Sequence, residues 1–502
     1  MAKYIVTIAP PTPNGNLHLG HLSGPFLSAD VFARLQRIKN HEVFFTCYSD
    51  DHQSYLLRKA VQVGENPLEL AGHYCDEIKR TLNAAKISVD WFMKSGNNSY
   101  FFEAVKYFYQ GAKAKHAIGK KMDEVPYSAE EKIYGYEGFA TATCNFCGSS
   151  SDASQCEGCG YPPTMNQMGD FKSVFTQKPL GKIKVEREYL KLDIYKDLLL
   201  KKYDQKSRVR EKLNQYIQEV LDKVSSEWFI DRPGESGITI NVDSEDHVIH
   251  TWFSGIAGYI AATKEYDAKN DKKVFEEFWL SKDTKLVQFL GFDCSFSHAI
   301  VYPSLLSNHE ELVQDNYVFT NEFLKLENKD FSTSRGHAIW VNDFLNEYSL
   351  DAARYYLAIY SPEEKVSNFS KNEFIQWNEE FTKAKEDLLN NFIVVSEKKI
   401  SFDLVVNKHS EALSKVMEAW NRYSSVPEYS MKKLATELYV FLKYINQYCN
   451  NDETEMVLLY SILGEAIHPD FSLELKSKYQ FKNHNSFEVL KALDFHESYT
   501  TI

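Results

Sequence analysis

Two histidines three residues apart, His18 and His21, are the residues near the start of the chain best suited to chemistry. They follow a short apolar run, Tyr4–Ile8, that predicts a buried strand, then a Pro/Asn/Gly turn, and they open a predicted helix over Leu22–Arg37. A helix start in this position presents backbone N–H groups and a positive dipole end to phosphate. Imidazoles at i and i+3 can donate to phosphate oxygens as charge develops during displacement at phosphorus. The alternative is two surface histidines on a capped helix.

Four of the eight cysteines form a second cluster, Cys144, Cys147, Cys156 and Cys159. Two Cys-x2-Cys pairs close a tetrahedral site of four sulfurs, and neighbouring glycines allow the tight turns that bring the thiolates together. Because protein fills every coordination position, the spacing predicts a structural zinc and not a catalytic one; a redox role is the alternative. The remaining cysteines are scattered, which argues against a secreted disulfide framework.

The elements that position the histidines alternate between strand and helix. Short, largely apolar strands are predicted at Tyr4–Ile8, Val43–Cys47 and Ile87–Phe92, which is typical of a parallel α/β sheet. After about residue 113 the pattern changes to Lys/Glu/Tyr-rich hairpins and the cysteine cluster. A long amphipathic stretch, Ile194–Val224, leads to a second α/β half, predicted at Val248–Ile260, Leu286–Phe289 and His298–Leu306.

From Leu350 onward the sequence predicts helices almost throughout, at Ala352–Ile359, Lys371–Val395, His409–Tyr423, Met431–Cys449 and Glu453–Ile467. The chain therefore divides into four predicted parts. Residues 1–113 and 228–344 form the two halves of a nucleotide-binding domain, residues 114–227 are an insertion with the metal knuckle at 144–159, and residues 345–502 form a helical bundle.

Composition restricts the class of protein. The chain has 502 residues, 43% hydrophobic and 25% charged, which is ordinary for a globular protein of several cores. No apolar run approaches about 18 residues and no leader pattern is present, so we expect a cytoplasmic protein with no membrane partner. The formal net charge of −13 argues against broad, non-specific nucleic-acid binding but leaves room for a local basic groove.

The run Pro-x-Pro-Asn-Gly-x-Leu-His-Leu-Gly-His, which ends at His21, resembles the HIGH signature of class I aminoacyl-tRNA synthetases, most closely the methionyl branch. The resemblance implies a Rossmann-like (HUP) nucleotide-binding domain split by a connective insertion. It makes His18 and His21 phosphate-binding catalytic residues and places Asn14 and Gly20 beside ATP. The cysteine cluster likewise resembles the single-zinc knuckle of that family's connective peptide.

The segment Asp330-Phe-Ser-Thr-Ser-Arg-Gly resembles the family's second signature, the mobile KMSKS loop that covers the phosphates of ATP. The resemblance implies catalytic roles for Ser332, Thr333 and Ser334, and ATP contacts for Thr333 and Arg335. Asp330 stands where the first lysine belongs, and a carboxylate beside triphosphate is unfavourable unless it faces away or meets a metal. Lys325, Lys329 or Arg335 are candidates to supply the missing charge.

The amino-acid pocket is implied by three further segments that resemble the family. Asp50, in Ser-Asp-Asp-His, falls where a carboxylate binds the substrate ammonium group; a helix-capping carboxylate is the alternative. Asp293 would face the ribose of ATP. The remaining residues implied to line the pocket are Ala9, Thr12, Trp252, Tyr259, Cys294, Ser297 and His298.

Several pocket positions depart from the family pattern. Thr12 replaces a tyrosine, Cys294 an isoleucine and Ser297 a phenylalanine, and Pro10, Ser254 and Ile256 also differ. Methionine recognition depends on a close-fitting apolar sleeve, in which one methylene contributes only about 1–3 kcal/mol. These exchanges predict a more open and more polar pocket, so that a smaller or polar amino acid becomes a candidate substrate.

The helical part resembles the family's anticodon-binding bundle at Asp351-Ala-Ala-Arg-Tyr-Tyr-Leu. Such domains hold single-stranded loops by stacking bases on exposed aromatic rings. The Pro-Trp pair that does this in the family is missing, because the corresponding stretch from Tyr444 to Glu455 contains no tryptophan. Phe441 and Tyr448 are candidate replacements, although both residue types are commonly found in cores.

The predicted function is ATP-dependent amino-acid activation by a methionyl-tRNA synthetase-type ligase. An amino-acid carboxylate would attack the α-phosphate of ATP, with Mg²⁺ shielding the phosphates, and an acceptor would then take the acyl group. By family default the acceptor is tRNA. One alternative is a paralogue that activates another amino acid for a non-tRNA acceptor, with a partner protein such as a cupin. The other is a binding module that has lost catalysis.

Overall fold

A computed structural model describes residues 1–153, 156, 159–160, 167–204, 208–223, 226–234, 237–331, 336–394, 403–481 and 485–497. The first part of the chain alternates strand and helix, as predicted. Its elements are β1 (Lys3–Ile8), α1 (Leu19–His21), α2 (Leu27–Ile38), β2 (Glu42–Ser49), α3 (Ser54–Val63), α4 (Pro67–Ala84), β3 (Trp91–Lys94) and α5 (Ser99–Ala114).

Antiparallel strands follow, as the hairpin pattern predicts. The strands are β4 (Ile118–Ser128), β5 (Ile133–Tyr134), β6 (Ala140–Cys144), β7 (Ser150–Asp152), β8 (Met168–Ser173), β9 (Gly181–Lys191), β10 (Glu227–Phe229), β11 (Ile238–Val242) and β12 (Glu245–Ile249). The strands form sheets in the orders β10-β9-β4-β5, β7-β6-β8 and β11-β12. Two helices, α6 (Lys196–Asp204) and α7 (Glu211–Lys223), lie between β9 and β10 in the chain. The chain then returns to the central sheet through α8 (Thr251–Asn270). The domain limits proposed from sequence stay a prediction.

The second α/β half contains β13 (Thr284–Gly291), α9 (Tyr302–Leu306), β14 (Asn316–Asn321), β15 (Leu324–Leu326), β16 (Lys329–Asp330) and α10 (Val341–Glu347). The last part is helical, apart from one short strand. It contains α11 (Leu350–Ile359), β17 (Ser367–Phe369), α12 (Lys371–Asn390), α13 (Asp403–Lys408), α14 (Ser410–Tyr423), α15 (Met431–Tyr448), α16 (Thr454–Leu463), α17 (Pro469–Lys478) and α18 (Ser486–Glu497).

The central sheet is parallel, with strand order β14-β13-β1-β2-β3. Neighbouring strands β1 and β13 are far apart in sequence, and the chain proceeds outward from them in opposite directions. This is a topological switch point, where a crevice opens beyond the carboxyl ends of the strands. Ala9 N–H donates to the Phe289 carbonyl oxygen at 2.9 Å, so the end of β1 is fastened to β13 at this crevice.

Three local predictions need correction. The predicted strand Ile87–Phe92 forms only from Trp91, because Ser88 turns back and donates through its backbone and hydroxyl to Asp30, at 2.7 and 2.6 Å. The predicted continuous stretch Ile194–Val224 contains two helices, α6 and α7. Val248 and Ile249 belong to strand β12 of a hairpin, and the helix begins only at Thr251, where His250 caps the first turn.

The helical part packs directly against the nucleotide-binding fold. Arg354 is fully buried and its guanidinium contacts Asp30 of α2 at 2.6 Å, while also donating to the carbonyls of Ala466 and Ile467. Burial opposes ionisation of Asp30, but the Arg354 charge holds its pKa below the usual range. One apolar core runs from the sheet into the bundle. Within the described ranges, no helix combines the length and apolar character needed to cross a bilayer.

Candidate active site

The two histidines identified from sequence lie on one tight turn at the switch point. His18 caps α1, and its Nδ1 accepts from the Gly20 N–H at 3.1 Å, while the His18 N–H donates to Nδ1 of His21 at 3.2 Å. The ring centroids are 3.9 Å apart. A Cβ at position 20 would lie 2.9 Å from the His18 ring, so glycine is required for this close approach.

Both rings are held neutral. Burial, reinforced by His21, lowers the pKa of His18 to about 2, and burial lowers the pKa of His21 to about 4. Each Nδ1 accepts a backbone N–H, so the proton of the neutral imidazole sits on Nε2. Two Nε2–H donors therefore remain available for phosphate oxygens.

The segment that resembles the KMSKS loop adjoins this turn. Phe331 stacks on His18 with ring centroids 4.7 Å apart. On the far side of the loop, the Ile339 carbonyl accepts from Leu19 N–H at 3.0 Å, and Val341 N–H donates to Leu17 at 3.0 Å. Residues on both sides of the predicted catalytic loop are thus fixed beside His18. Its members lie outside the described residues: Ser332, Thr333, Ser334 and Arg335.

Asp330, at the position of the family's first lysine, is described and points to solvent. Its side chain is 76% exposed, and its Oδ1 lies 3.9 Å from Nζ of Lys325. The pair closes the short β15–β16 ladder, in which Lys325 is opposite Asp330. The carboxylate therefore has a cationic neighbour within the loop's own hairpin.

Asp50 lies at the carboxyl end of β2, beside the same crevice. Its backbone N–H donates to Pro11 at 3.0 Å, which ties the loop after β1 to the end of β2, and its Oδ2 accepts from Gln53 Nε2 at 2.5 Å. Burial, with smaller contributions from Asp51 and Glu137, raises the pKa of Asp50 to about 7. A buried carboxyl with this pKa favours a cationic ligand group.

Tyr259 and His298, both predicted from sequence to line the amino-acid pocket, contact each other. The Tyr259 hydroxyl donates to the Ile8 carbonyl at 3.0 Å and lies 3.1 Å from Nε2 of His298. Nδ1 of His298 contacts the Ser297 hydroxyl at 3.0 Å and the Cys294 carbonyl at 3.2 Å. Burial lowers the pKa of His298 to about 3, so the ring acts as a neutral linker.

Two tyrosines that sequence reasoning did not single out, Tyr48 and Tyr302, pack against Tyr259 and His298. The Tyr48 hydroxyl donates to the Gly255 carbonyl at 3.2 Å, and its ring packs on Tyr259. A Cβ at Gly255 would overlap the Tyr302 hydroxyl. The sequence signal for Tyr302 is Gly255, because the family segment has alanine at this position. Loss of that methyl group leaves space for a neighbouring side chain.

The other predicted site residues are less buried than Tyr259 and His298. Ala9, Thr12, Asn14, Trp252 and Cys294 are partly buried. Asn14 N–H donates to the Thr12 carbonyl at 2.9 Å, which closes the turn before His18. Asp293 is exposed at the end of β13, with its carboxylate folded over Gly291, where a Cβ would clash.

A buried charge network attaches the insertion to α8. Glu137 pairs with Arg232, accepts from Ser54 Oγ at 3.0 Å and lies 2.8 Å from Nε2 of His250. Burial opposes ionisation of Glu137, but the Arg232 charge holds its pKa below the usual range. Nδ1 of His250 accepts from the Trp252 N–H at 3.0 Å, so this network orients the first turn of α8.

The four cysteines of the knuckle converge. Their sulfurs lie within 4.8 Å of one another, with Cys144–Cys159 at 3.8 Å and Cys147–Cys156 at 3.5 Å. A tetrahedral zinc with Zn–S bonds of about 2.3 Å requires sulfurs about 3.8 Å apart. Two matching turns produce this geometry, since Gly148 and Gly160, each at φ 73°, donate to Cys144 and Cys156. The residues present therefore fit zinc.

A second group of donor side chains, His409, Cys449 and Glu453, lies in the helical part within 4.8 Å. Nζ of Lys408 already binds Glu453 at 2.6 Å. Burial and the Glu453 charge raise the pKa of Cys449 to about 12, which disfavours the thiolate needed for metal binding. We therefore interpret this group as a structural ion pair.

The two candidate replacements for the missing Pro-Trp pair differ in exposure. Phe441 is buried in the bundle core at 3% exposure, whereas Tyr448 is 58% exposed. The Tyr448 ring lies 5.1 Å from that of Tyr444, near the carboxyl end of α15. Only the Tyr448 ring, of these two, is accessible for stacking.

The fold is an α/β, Rossmann-like nucleotide-binding fold with a histidine-bearing helix start at its switch point. Residues 4–393 match the family model described as tRNA synthetases class I (M), and the chain belongs to this family. The methionine–tRNA ligases of Pyrococcus furiosus and Thermococcus onnurineus are 32% and 31% identical over 415 and 407 residues, each covering 78% of this chain. That of Christiangramia forsetii is 29% identical over 477 residues, 90% of this chain.

The chain spans just over half the length of its archaeal relatives, 56% and 55% respectively, and 67% of the Christiangramia protein. Among solved structures, the Mycobacterium tuberculosis methionyl-tRNA synthetase in complex with methionyl-adenylate aligns with a TM-score of 0.71. The alignment covers 95% of this chain and 93% of that one at 18% identity. At this identity the likeness establishes the fold alone, which agrees with the predicted split α/β domain and helical bundle.

Proposed function

We propose that this chain is an ATP-dependent amino-acid-activating ligase of the methionyl-tRNA synthetase type. The observation that carries the proposal is the stacking of Phe331 on His18. It brings the two signature segments, far apart in sequence, to one end of the sheet. Asp50 lies at the same end, which supports the proposal of an ammonium site beside a phosphate site.

In the proposed reaction the substrate ammonium group pairs with Asp50, which positions the carboxylate to attack the α-phosphate of ATP. Nε2–H groups of His18 and His21 donate to phosphate oxygens as pyrophosphate leaves. Bound Mg²⁺ would shield the phosphate charges. Asn14, Gly20 and Asp293 lie on the proposed ATP side, and Ser332, Thr333, Ser334 and Arg335 would close over it.

The second proposed step transfers the acyl group from the adenylate to a hydroxyl of an acceptor. tRNA is the acceptor by family default, and the relatives are named as methionine–tRNA ligases. The exposed ring of Tyr448 supports base contact at the helical part, since stacking needs an accessible aromatic face. We propose the cytoplasm as the location, as is usual for translation enzymes.

A second candidate function, activation of another amino acid for a non-tRNA acceptor, is favoured by the polar side chains of the pocket. Cys294 and Ser297 stand where the family segment has isoleucine and phenylalanine. A cupin-type partner belongs to this candidate alone. A binding module without catalysis is a third candidate. It is supported by Asp330, which stands at the position of the family's first lysine.

ATP–pyrophosphate exchange with each of the twenty amino acids, with and without tRNA, separates these functions. Methionine-dependent exchange with tRNA charging supports the family activity. Exchange with a different amino acid and no charging supports the paralogue. Absence of exchange under all conditions would contradict activation and leave the binding module.

We also propose that the cysteine knuckle binds one structural zinc. Metal analysis of the purified protein should give about one zinc per chain, and Cys147→Ser with Cys156→Ser should remove it. Cys75→Ser is the matched control, because Cys75 is buried outside the knuckle. Retention of full zinc by the double variant would contradict the site.

A further inference from the structure

The ring of His18 has an aromatic neighbour on each of its two faces. The centroid of the His21 ring is 3.9 Å away, and that of Phe331 is 4.7 Å away with 14° between the ring planes. Two rings this close have no room side by side on one face, so His18 lies between His21 and Phe331. The Trp340 ring is a third neighbour, 6.3 Å away and inclined by 48°. Aromatic groups therefore enclose His18.

One nitrogen of the enclosed ring stays available. Nδ1 of His18 accepts the Gly20 N–H at 3.1 Å, which leaves the proton of the neutral ring on Nε2. Phe331 also lies beside Gly20, because a Cβ at that position would be 3.5 Å from its ring. With both faces and Nδ1 in contact with protein, the ring has little freedom to rotate, and the direction of its Nε2–H is fixed.

The β15–β16 hairpin determines where Phe331 points. The two residues of its turn, Glu327 and Asn328, have φ of 48° and 63°, as a type I′ turn requires. Strand β15 also pairs with β17, which holds the hairpin from its other side. Asp330, the last residue of β16, has a side chain that is 76% exposed. Because successive side chains alternate between faces, Phe331 points the other way and packs against the core.

The contacts of His18 come from two sources. Gly20 and His21 belong to its own turn, whereas Phe331 reaches it from a segment more than 300 positions away. A donor stabilises charge that develops on phosphate only if it already points at the oxygen, because no reorganisation is then needed. Without the Phe331 ring, the bond to Gly20 would remain, but one face of the imidazole would be open to water and its rotation less restricted.

We propose that Phe331 is a positioning residue, which holds the His18 ring in the orientation that lets Nε2–H donate to a phosphate oxygen of ATP. Phe331 contacts no reacting atom in this assignment and acts through His18 alone. The inference rests on the proposed function, because it concerns the reaction of the same site. It also gives the segment that resembles KMSKS a role that does not depend on its charged residues.

Variants of Phe331 in ATP–pyrophosphate exchange test this role. Phe331→Leu keeps an apolar side chain but removes the stacked ring, and it should lower kcat about fivefold. The KM for the amino acid should stay within about twofold, since the loss concerns the transition state. Phe331→Tyr keeps the ring and should retain kcat within about twofold. An unchanged kcat in Phe331→Leu, or an equal loss in Phe331→Tyr, would overturn the inference.

A double-mutant cycle with His18→Ala shows whether Phe331 acts through His18. In the His18→Ala background, Phe331→Leu should change kcat by less than about twofold, because the group that it positions is absent. A general structural defect would instead lower kcat by the same factor in both backgrounds. Equal factors would therefore refute the positioning role.

Phe323→Leu is the matched control. Phe323 lies directly before β15, and its side chain is 43% exposed, so the same exchange is made near the hairpin but away from His18. This variant should leave both kcat and KM unchanged. If it lowers kcat as much as Phe331→Leu does, the effect belongs to the hairpin and the assignment to Phe331 fails.

Histidine NMR separates failure of this inference from failure of the proposed function, because it needs no turnover. Burial, with a smaller contribution from His21, lowers the pKa of His18 to about 2. Phe331 and Trp340 carry no charge, and Asp330 faces solvent. The His18 ring resonances, assigned with His18→Ala, should be constant from pH 8 to pH 4 in the wild type. In Phe331→Ala they should shift and begin to titrate, since water reaches one face of the ring.

These NMR outcomes are read together with exchange. Shifted, titrating His18 resonances in Phe331→Ala support the positioning role even if the wild type shows no exchange, in which case only the proposed function fails. Unchanged His18 resonances in Phe331→Ala would overturn the inference while leaving amino-acid activation intact.

Discussion

The turn that carries His18 and His21 and the predicted amino-acid pocket lie at the same end of the sheet, but they are assembled differently. In the turn, His18, Gly20 and His21 are within four residues and bind each other's backbone. In the predicted pocket, Tyr259, His298 and Tyr302 come from separate elements and meet through packing, with His298 in contact with both tyrosines.

This difference separates what the family shares from what this chain changes. A turn held by its own backbone tolerates little variation, because each residue is required by its neighbours. A pocket assembled from distant elements can change one side chain and compensate with another, as Gly255 and Tyr302 do. We therefore expect variants in the turn to affect the chemical step, and variants in the pocket to affect substrate choice and affinity.

The largest effect is expected from Asp50→Asn. Removing one partner of a buried charge pair costs about 2–5 kcal/mol, so kcat/KM for the amino acid in exchange should fall roughly a thousandfold, with the KM for ATP little changed. Folding should not suffer, because burial already disfavours the ionised carboxyl. Gln53→Ala, which removes the partner of Asp50 but keeps its charge, is the milder comparison. An Asp50→Asn enzyme with normal kcat/KM would show that the ammonium site lies elsewhere.

His18→Ala should reduce kcat in exchange by about a hundredfold, since loss of one preorganised donor to a developing oxyanion costs about 2.7–4 kcal/mol. The KM for the amino acid should stay within about threefold, which would distinguish the turn from the pocket. His73→Ala, at an exposed position, provides the control for loss of a histidine. A rise in amino-acid KM with unchanged kcat would contradict the proposed division of roles between the turn and the pocket.

Acidification should weaken amino-acid binding by about tenfold between pH 8 and pH 6. The free enzyme holds Asp50 with a pKa of about 7, and below this pH the carboxyl must lose its proton to bind an ammonium group. His18 and His21, with pKa values of about 2 and 4, stay neutral over this range. The KM for the amino acid, measured against pH, should rise below about pH 7 and become flat in Asp50→Asn.

The contribution of Asp50 to folding stability should increase on acidification, whereas its contribution to amino-acid binding decreases. A carboxyl whose pKa is raised in the folded state contributes stability below its unfolded value, and this contribution is lost as the pH rises through about 7. The lowered pKa values of His18 and His21 have the opposite effect, because the unfolded chain protonates these histidines first and stability falls on acidification. The difference in free energy of unfolding between wild type and Asp50→Asn, followed from pH 8 to pH 5, isolates the Asp50 contribution. No pH dependence in that difference would contradict the raised pKa.

The smallest effect is expected at the loop that resembles KMSKS. Asp330→Lys should raise the exchange rate by about two- to fivefold, since exposed charges interact by no more than about 1 kcal/mol. Exchange rates of Lys329→Ala and Arg335→Ala, measured separately, test which of these cations contacts the leaving pyrophosphate. Unchanged rates in both would end the hypothesis that either residue replaces the missing lysine.

Much of the fold followed from local pattern. The strand, turn and capped helix around His18, the alternation up to α5, the antiparallel insertion and the helical last part were all predicted, because hydrophobic period and turn residues determine these elements locally. The predicted strand at Ile87–Phe92 was wrong in its bounds, since the bond from Ser88 to Asp30 of α2 is a tertiary contact that no local window contains.

The sequence by itself determined the chemistry that repeats at close spacing: two histidines on one turn and four cysteines in the two Cys-x2-Cys pairs of one knuckle. Tertiary structure alone decided which distant groups share a cavity. In the folded chain Phe331 stacks on His18, and the exposed Asp330 lies near Lys325. The Tyr302 hydroxyl occupies the space beside Gly255. The physical reason is that side-chain packing across a parallel sheet joins residues hundreds of positions apart, and their polar groups acquire meaning only from the neighbours they meet there.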